Sequence, residues 1–100
     1  MEQVNVVGVE NDVFKIALSG DIDLGNAEEF YQTVMSAYTD TDVEFDCAQL
    51  NFIDSTTLGT FVKILKTVKS NGKKMKLTAL QSKIKKLFLI CSLDSIMEIA

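Results

Sequence analysis

Apolar positions along the chain recur with two different periods, and the changes between them mark the predicted elements. Val4, Val6, Val7 and Val9 make a valine-rich run that predicts a first strand, at the edge of a sheet. Glu10, Asn11 and Asp12 form a polar turn. Beyond it Phe14, Ile16 and Leu18 alternate with Lys15, Ala17 and Ser19, the period of a half-buried strand, so the two runs predict a hairpin. Residues 20–26 read as a loop. Ala27, Phe30, Tyr31, Val34 and Ala37/Tyr38 then recur at helical spacing, which predicts a first helix over 26–38. Asn26 is placed to cap it, and Glu28 and Glu29 suit the positive end of its dipole. Residues 42–47 alternate again as a third strand, and Asn51-Phe52-Ile53-Asp54 leads into a second helix over 55–70. There Leu58, Phe61, Val62, Leu65 and Val68 share one face, with Lys63, Lys66 and Lys69 on the other. Asn71-Gly72 ends that helix, glycine being the usual left-handed residue after a helix. Met75, Leu77 and Ala79 alternate in a fourth strand, and Ser82 is placed to cap a third helix whose Ile84, Leu87, Phe88 and Cys91 share a face. The apolar tail at Ile96–Ile99 predicts a last short strand or a packed end.

The order ββαβαβα, with or without a final strand, predicts an α/β fold. Each strand–helix–strand step after the hairpin should be a right-handed crossover. The expected architecture is a single domain over residues 1–100, with a mixed four- to five-stranded sheet and helices mainly on one face.

Composition narrows the chemistry. One hundred residues, 47% hydrophobic and 24% charged, can bury a core without a metal or disulfide staple. Histidine is absent, which removes the commonest general base and zinc ligand and rules out a Ser-His-Asp triad or Cys-His pair within the chain. All ten basic residues are lysines, so no guanidinium clamp is available. Cys47 and Cys91 lie in apolar stretches with no metal-ligand spacing and read as buried small hydrophobes. No secretory signal is visible, and the apolar runs fall short of the roughly 20 residues of a membrane span. A reducing cytoplasm is the expected compartment, with no direct membrane insertion.

Charge is uneven. Residues 1–54 hold twelve acids against Lys15 alone, while residues 55–100 hold nine lysines against Asp94 and Glu98. The lysines read as a solvated face or as a docking face for an acidic partner. Direct nucleic acid binding is not expected, since arginine is lacking and no aromatics interleave with the lysines.

Asp54-Ser55-Thr56-Thr57 opens the second helix. Asp54 stands where an N-cap belongs, and Ser55 follows near the first helical position. Physically the pair reads either as a plain cap or as a phosphoacceptor, because a phosphate of about −1.5 to −2 charge is well tolerated at a helix N-terminus. Gly59 inside the helix costs about 1 kcal/mol against alanine. Asp21 and Asp23 read as turn formers or as partner-facing carboxylates; no further ligand spacing supports a metal site there.

The octet Phe52-Ile53-Asp54-Ser55-Thr56-Thr57-Leu58-Gly59 resembles the signature of STAS domains, especially the bacterial anti-sigma factor antagonists. Their pattern is an apolar pair, Asp-Ser, Ser or Thr, Gly, Leu, Gly. Gly20-Asp21-Ile22-Asp23 and Asn71-Gly72 are similar to two further landmarks of the family, so the resemblance spans nearly the whole chain. It implies one STAS domain over 1–100 and a partner switch. The unmodified protein would bind an anti-sigma factor that is also a serine kinase, releasing a sigma factor. The kinase would phosphorylate Ser55, the modified protein would dissociate, and a metal-dependent serine phosphatase would reset it. ATP and metal would belong to the partners, and the chain itself would need no cofactor. Asp21, Asp23, Asp54, Ser55, Thr56, Thr57 and Leu58 would form the partner-binding surface. Thr57 stands where the family has glycine. Its bulk is expected at the docking surface, and its hydroxyl is a rival acceptor, as is that of Thr56. The competing function is a non-phosphorylated STAS subunit or scaffold, in a lipid-transport ABC complex or a stress-sensing assembly. An enzyme is not expected: adjacent Asp54 and Ser55 rarely orient as base and nucleophile, and no histidine or arginine assists them.

Overall fold

The strand and helix periods become five strands and three helices in a computed structural model that describes residues 1–100. Strands β1 (Val4–Glu10) and β2 (Val13–Ile22) form the expected antiparallel hairpin. Asn11 and Asp12 both adopt positive φ, 53° and 65°, as a two-residue hairpin turn requires. Helix α1 (Ala27–Ala37), strand β3 (Asp42–Ile53), helix α2 (Ser55–Ser70), strand β4 (Met75–Thr78) and helix α3 (Ser82–Ile90) follow. A 3-10 turn (Leu93–Ser95) then leads to strand β5 (Glu98–Ile99), so the apolar tail does add a strand. The sheet order is β1-β2-β3-β4-β5, with β1 antiparallel at one edge and every other pairing parallel.

The helices cover one face. Phe14, Ile16 and Leu18 of β2, Val43 and Phe45 of β3, and Met75 and Leu77 of β4 are buried there. Their alternates Lys15, Glu44 and Lys76 are half-buried on the open face, where Lys15 meets Glu44 at 3.8 Å and Lys76 meets Glu98 at 3.3 Å. In the core, Phe61 of α2 packs edge-on against one phenylalanine from each neighbouring element. Ring centroids lie 5.2 Å from Phe30 of α1, 5.3 Å from Phe45 of β3 and 5.4 Å from Phe88 of α3. Such pairs each contribute about 0.5–1.5 kcal/mol beyond area burial.

Strand β3 runs six residues past the expected end at Cys47. Its buried positions change from Val43, Phe45 and Cys47 to Leu50 and Ile53, so period 2 gives way to period 3. The pairing explains this: Ala17 faces Asp46 but Ser19 faces Gln49, and Gly20 faces Leu50 but Asp21 faces Phe52. At both shifts β3 carries one extra residue. Strand β2 likewise continues through Gly20 to Ile22, where a loop was expected, with Gly20 at φ +68°. Bulges re-aim a strand, and these lie just before Asp54.

The helix ends agree in part. Gly72 is left-handed at φ +73°, and Gly72 N–H and Lys73 N–H donate to the carbonyls of Lys69 and Val68, a Schellman closure of α2. Asn26 does precede α1 but makes no side-chain cap, and Gln81 rather than Ser82 precedes α3. Cys47 is buried as expected, whereas Cys91 is exposed: α3 buries only Ile84 and Phe88, and Leu87 is also outside the core.

Candidate functional site

The site is built where β2 and β3 end and α2 begins. Asp54 has extended backbone at φ −119°, ψ −175°, and caps α2. Its Oδ1 accepts from Thr57 N–H at 3.0 Å, and its Oδ2 accepts from Leu24 N–H at 2.9 Å, thirty residues earlier. One carboxylate therefore holds the helix start against the loop between β2 and α1. The Thr57 N–H bond, chiefly, holds the Asp54 carboxyl below its ordinary value of 3.8; partial desolvation opposes this, and the Leu24 N–H adds to it.

The loop is folded by its own side chains. Asp23 Oδ1 accepts from Gly25 N–H at 2.9 Å, and its carbonyl accepts from the N–H groups of Asn26 and Ala27. Asn26, instead of capping α1, accepts from Asp23 N–H at 2.9 Å and donates Nδ2 to Asp21 O at 3.0 Å. Asp23 is thus a turn former, while the Asp21 side chain is exposed.

The hydroxyls at the start of α2 differ sharply. Ser55 and Thr56 are exposed, and neither backbone N–H has an acceptor within the chain. Thr57 is fully buried. Its Oγ1 lies 2.6 Å from Ile22 O and 3.0 Å from Asp54 Oδ1, so its single proton goes to the closer, carbonyl oxygen. This corrects the expectation for Thr57: its bulk is inside, tying β2 to α2, and in this conformation it presents no hydroxyl to a kinase and no surface to a partner. Leu58 is half-buried and packs against the core. Of the seven expected site residues, Asp54, Ser55 and Thr56 stand together at the start of α2, and Asp21 is exposed on β2 opposite Phe52 of β3.

Apolar side chains that the sequence reading did not single out are exposed near the site. Leu24 is 75% exposed in the loop, and Phe52 is 47% exposed two residues before Asp54. Leu87 and Lys83 of α3 line a groove beside Phe52. A signal existed for two of them: Leu24 is apolar within a polar turn, and α3, which carries Leu87, holds more apolar residues than one buried face needs. No group of three or more His, Cys, Asp or Glu side chains stands together as a metal site would require, and no helix is long and apolar enough to cross a membrane.

Comparison with known proteins agrees with this geometry. The STAS domain family model matches residues 3–100. The chain is similar to the anti-sigma-B factor antagonist of Bacillus subtilis (strain 168), with 32% identity over 98 residues, covering 97% of this chain and 89% of that protein. Its fold is that of SpoIIAA in its unphosphorylated form, at a TM-score of 0.73 and 16% identity, covering 97% of this chain and 86% of that one. The Bacillus cell fate determinant SpoIIAA in its phosphorylated form matches at a TM-score of 0.73 and 19% identity, covering 97% and 90%.

Proposed function

The chain belongs to the STAS domain family, and from that premise we propose that it is an anti-sigma factor antagonist switched by phosphate on Ser55. In this reading the unmodified protein binds an anti-sigma factor with serine kinase activity and releases a sigma factor. One observation carries the choice of residue: Ser55 offers an exposed hydroxyl at the start of α2, while Thr57 is buried and bonded. The relative's name, anti-sigma-B factor antagonist, supports the class of partner.

The chemistry follows from the position. Ser55 Oγ attacks the terminal phosphorus of ATP held by the kinase; the Oγ–P bond forms, ADP leaves with the broken P–O bond, and a base of the kinase takes the hydroxyl proton. The product gains about −1.5 to −2 charges. The Ser55 and Thr56 N–H groups, without acceptors in the chain, and the positive helix end can take that charge. The fold therefore tolerates the modification. A partner fitted to a neutral hydroxyl does not, because the dianion must be desolvated beside the carboxylate of Asp54. A serine phosphatase reverses the switch by hydrolysing the ester. Asp21, Ser55 and Thr56, with Leu24 and Phe52 as apolar contacts, form the docking surface, and Asp54 positions them.

The test is binding of the partner kinase to wild type, Ser55→Ala and Ser55→Asp. Ser55→Asp should weaken binding more than tenfold, about 1.4 kcal/mol or more, and mass spectrometry should find phosphate on Ser55 in wild type alone. Equal affinity for all three proteins refutes the switch. The second reading, a non-phosphorylated subunit or scaffold of a lipid-transport or stress-sensing assembly, is favoured by Thr57 standing where the family pattern has glycine. Recovery of transporter ATPase subunits with unmodified Ser55 would select it.

A further inference from the structure

The largest concavity of the protein, about 360 Å³, lies at the far end of α2 from Ser55. It opens between the last turn of α2, the start of β4 and the segment from the 3-10 turn into β5. Fourteen residues of helix separate Ser55 from Lys69, a distance of about 21 Å, so this cleft is independent of the switch.

Lys69, Lys73, Lys74 and Lys76 line it, together with Asp94 and Glu98. The Schellman closure accounts for the crowding, since it folds Lys73 and Lys74 back beside the turn that carries Lys69. Lys76 is paired with Glu98 at 3.3 Å. The ammonium groups of Lys69, Lys73 and Lys74 have no carboxylate within 4.0 Å, although the Lys74 backbone N–H donates to Asp42 Oδ1 at 2.9 Å. A purely structural role would be to offset the carbonyl end of α2. That end is equivalent to only about −0.5 charge, and even together with Asp94 it leaves the three ammonium groups around the cavity in excess.

We propose that this cleft binds a small polyanion carrying two or more phosphoryl groups. At neutral pH two phosphoryl groups bring a charge of about −3, which the three unpaired lysines, less the charge of Asp94 in the same cleft, offset in large part. An ammonium acts as a point charge toward phosphate oxygens and needs no planar fork. The cleft also falls in the size range of small-molecule sites, about 300–1,000 Å³. A compact anion needs only the unpaired lysines, whereas an extended acidic protein segment crossing the cleft meets Asp94 and Glu98 as well.

The test is titration of the full chain with inorganic pyrophosphate at low ionic strength, followed by backbone amide NMR. Saturable shifts are expected at residues 69–76 and 94–98. Lys73→Gln/Lys74→Gln should raise Kd at least about fivefold, or about 1 kcal/mol. Lys83→Gln/Lys86→Gln, which removes two exposed lysines of α3, should leave Kd within about twofold, a few tenths of a kcal/mol. Equal weakening in both variants would mean diffuse attraction to a cationic surface and would overturn the proposal. Shifts given by an acidic peptide but not by pyrophosphate would also overturn it, and would assign the cleft to a protein partner.

Discussion

Thr57→Val tests the part of the site that sequence comparison alone would misplace. The substitution keeps a β-branched side chain of nearly the same shape and replaces the Oγ1 hydroxyl with a methyl group. In the folded protein that oxygen lies 2.6 Å from Ile22 O, and both residues are fully buried. Water has no route to replace the lost donor, so the Ile22 carbonyl is left short of a partner at a cost of about 1–3 kcal/mol. Taking about 2 kcal/mol and the unfolding entropy typical of a 100-residue domain, Tm should fall by about 10 °C. Thr57→Ser keeps the hydroxyl and loses one methyl group, so it should cost only about 1 kcal/mol. The assay is urea unfolding of the three proteins, with thermal melting as a second probe. An unchanged midpoint for Thr57→Val, or a larger loss for Thr57→Ser than for Thr57→Val, would refute the buried tie. If the tie is as described, Thr57→Val at temperatures well below its Tm should bind the partner of the Ser55 surface as wild type does.

Three further outcomes follow from other parts of the structure. The Asp54 carboxyl is held below its ordinary value, so its contribution to stability is full above the unfolded value and is lost as pH falls through the folded one. In Asp54→Asn the amide meets Leu24 N–H with a donor, so this variant should be less stable than wild type near neutral pH, and the gap in urea midpoint should narrow below pH 3.8; a gap independent of pH would contradict the capping geometry. Phe61→Ala removes the ring shared by Phe30, Phe45 and Phe88 and should destabilise by about 3–5 kcal/mol, read as a shift in urea midpoint at constant slope. Burial, with the Asp46 charge second, pushes the Cys47 thiol up to about 12, so in the native protein a thiol reagent at mildly alkaline pH should label exposed Cys91 alone, and Cys47 only after unfolding.

What was legible in the sequence was whatever a single element decides for itself. Alternation at Phe14, Ile16 and Leu18 identified β2, helical spacing at Phe61, Leu65 and Val68 identified the buried face of α2, and Gly72 marked its end. The role of Asp54 as a cap was also local, because its acceptor faces an N–H three residues ahead. The resemblance around Asp54-Ser55 carried the family. The sequence did not reveal the end of β3, because two extra residues in its pairing with β2 break the period that alternation depends on. It did not reveal that Asn26 folds the loop rather than capping α1, or that Cys91 lies outside the core.

Local patterning is enough to give the order of the elements and to set Ser55, Thr56 and Thr57 side by side at a helix start, chemically almost alike. Only the tertiary structure separated them. Thr57 is turned inward because Ile22 O, thirty-five residues earlier, needs a donor in a place without water, while Ser55 and Thr56 face outward. Leu24 N–H and the Asp54 carboxylate, thirty residues apart, likewise meet only once the chain is folded, here at an exposed position. Local periodicity records how one segment repeats along its own axis. Which hydroxyl is left free depends on where another segment's unsatisfied group comes to rest, and that is fixed only when β2, β3 and α2 pack together.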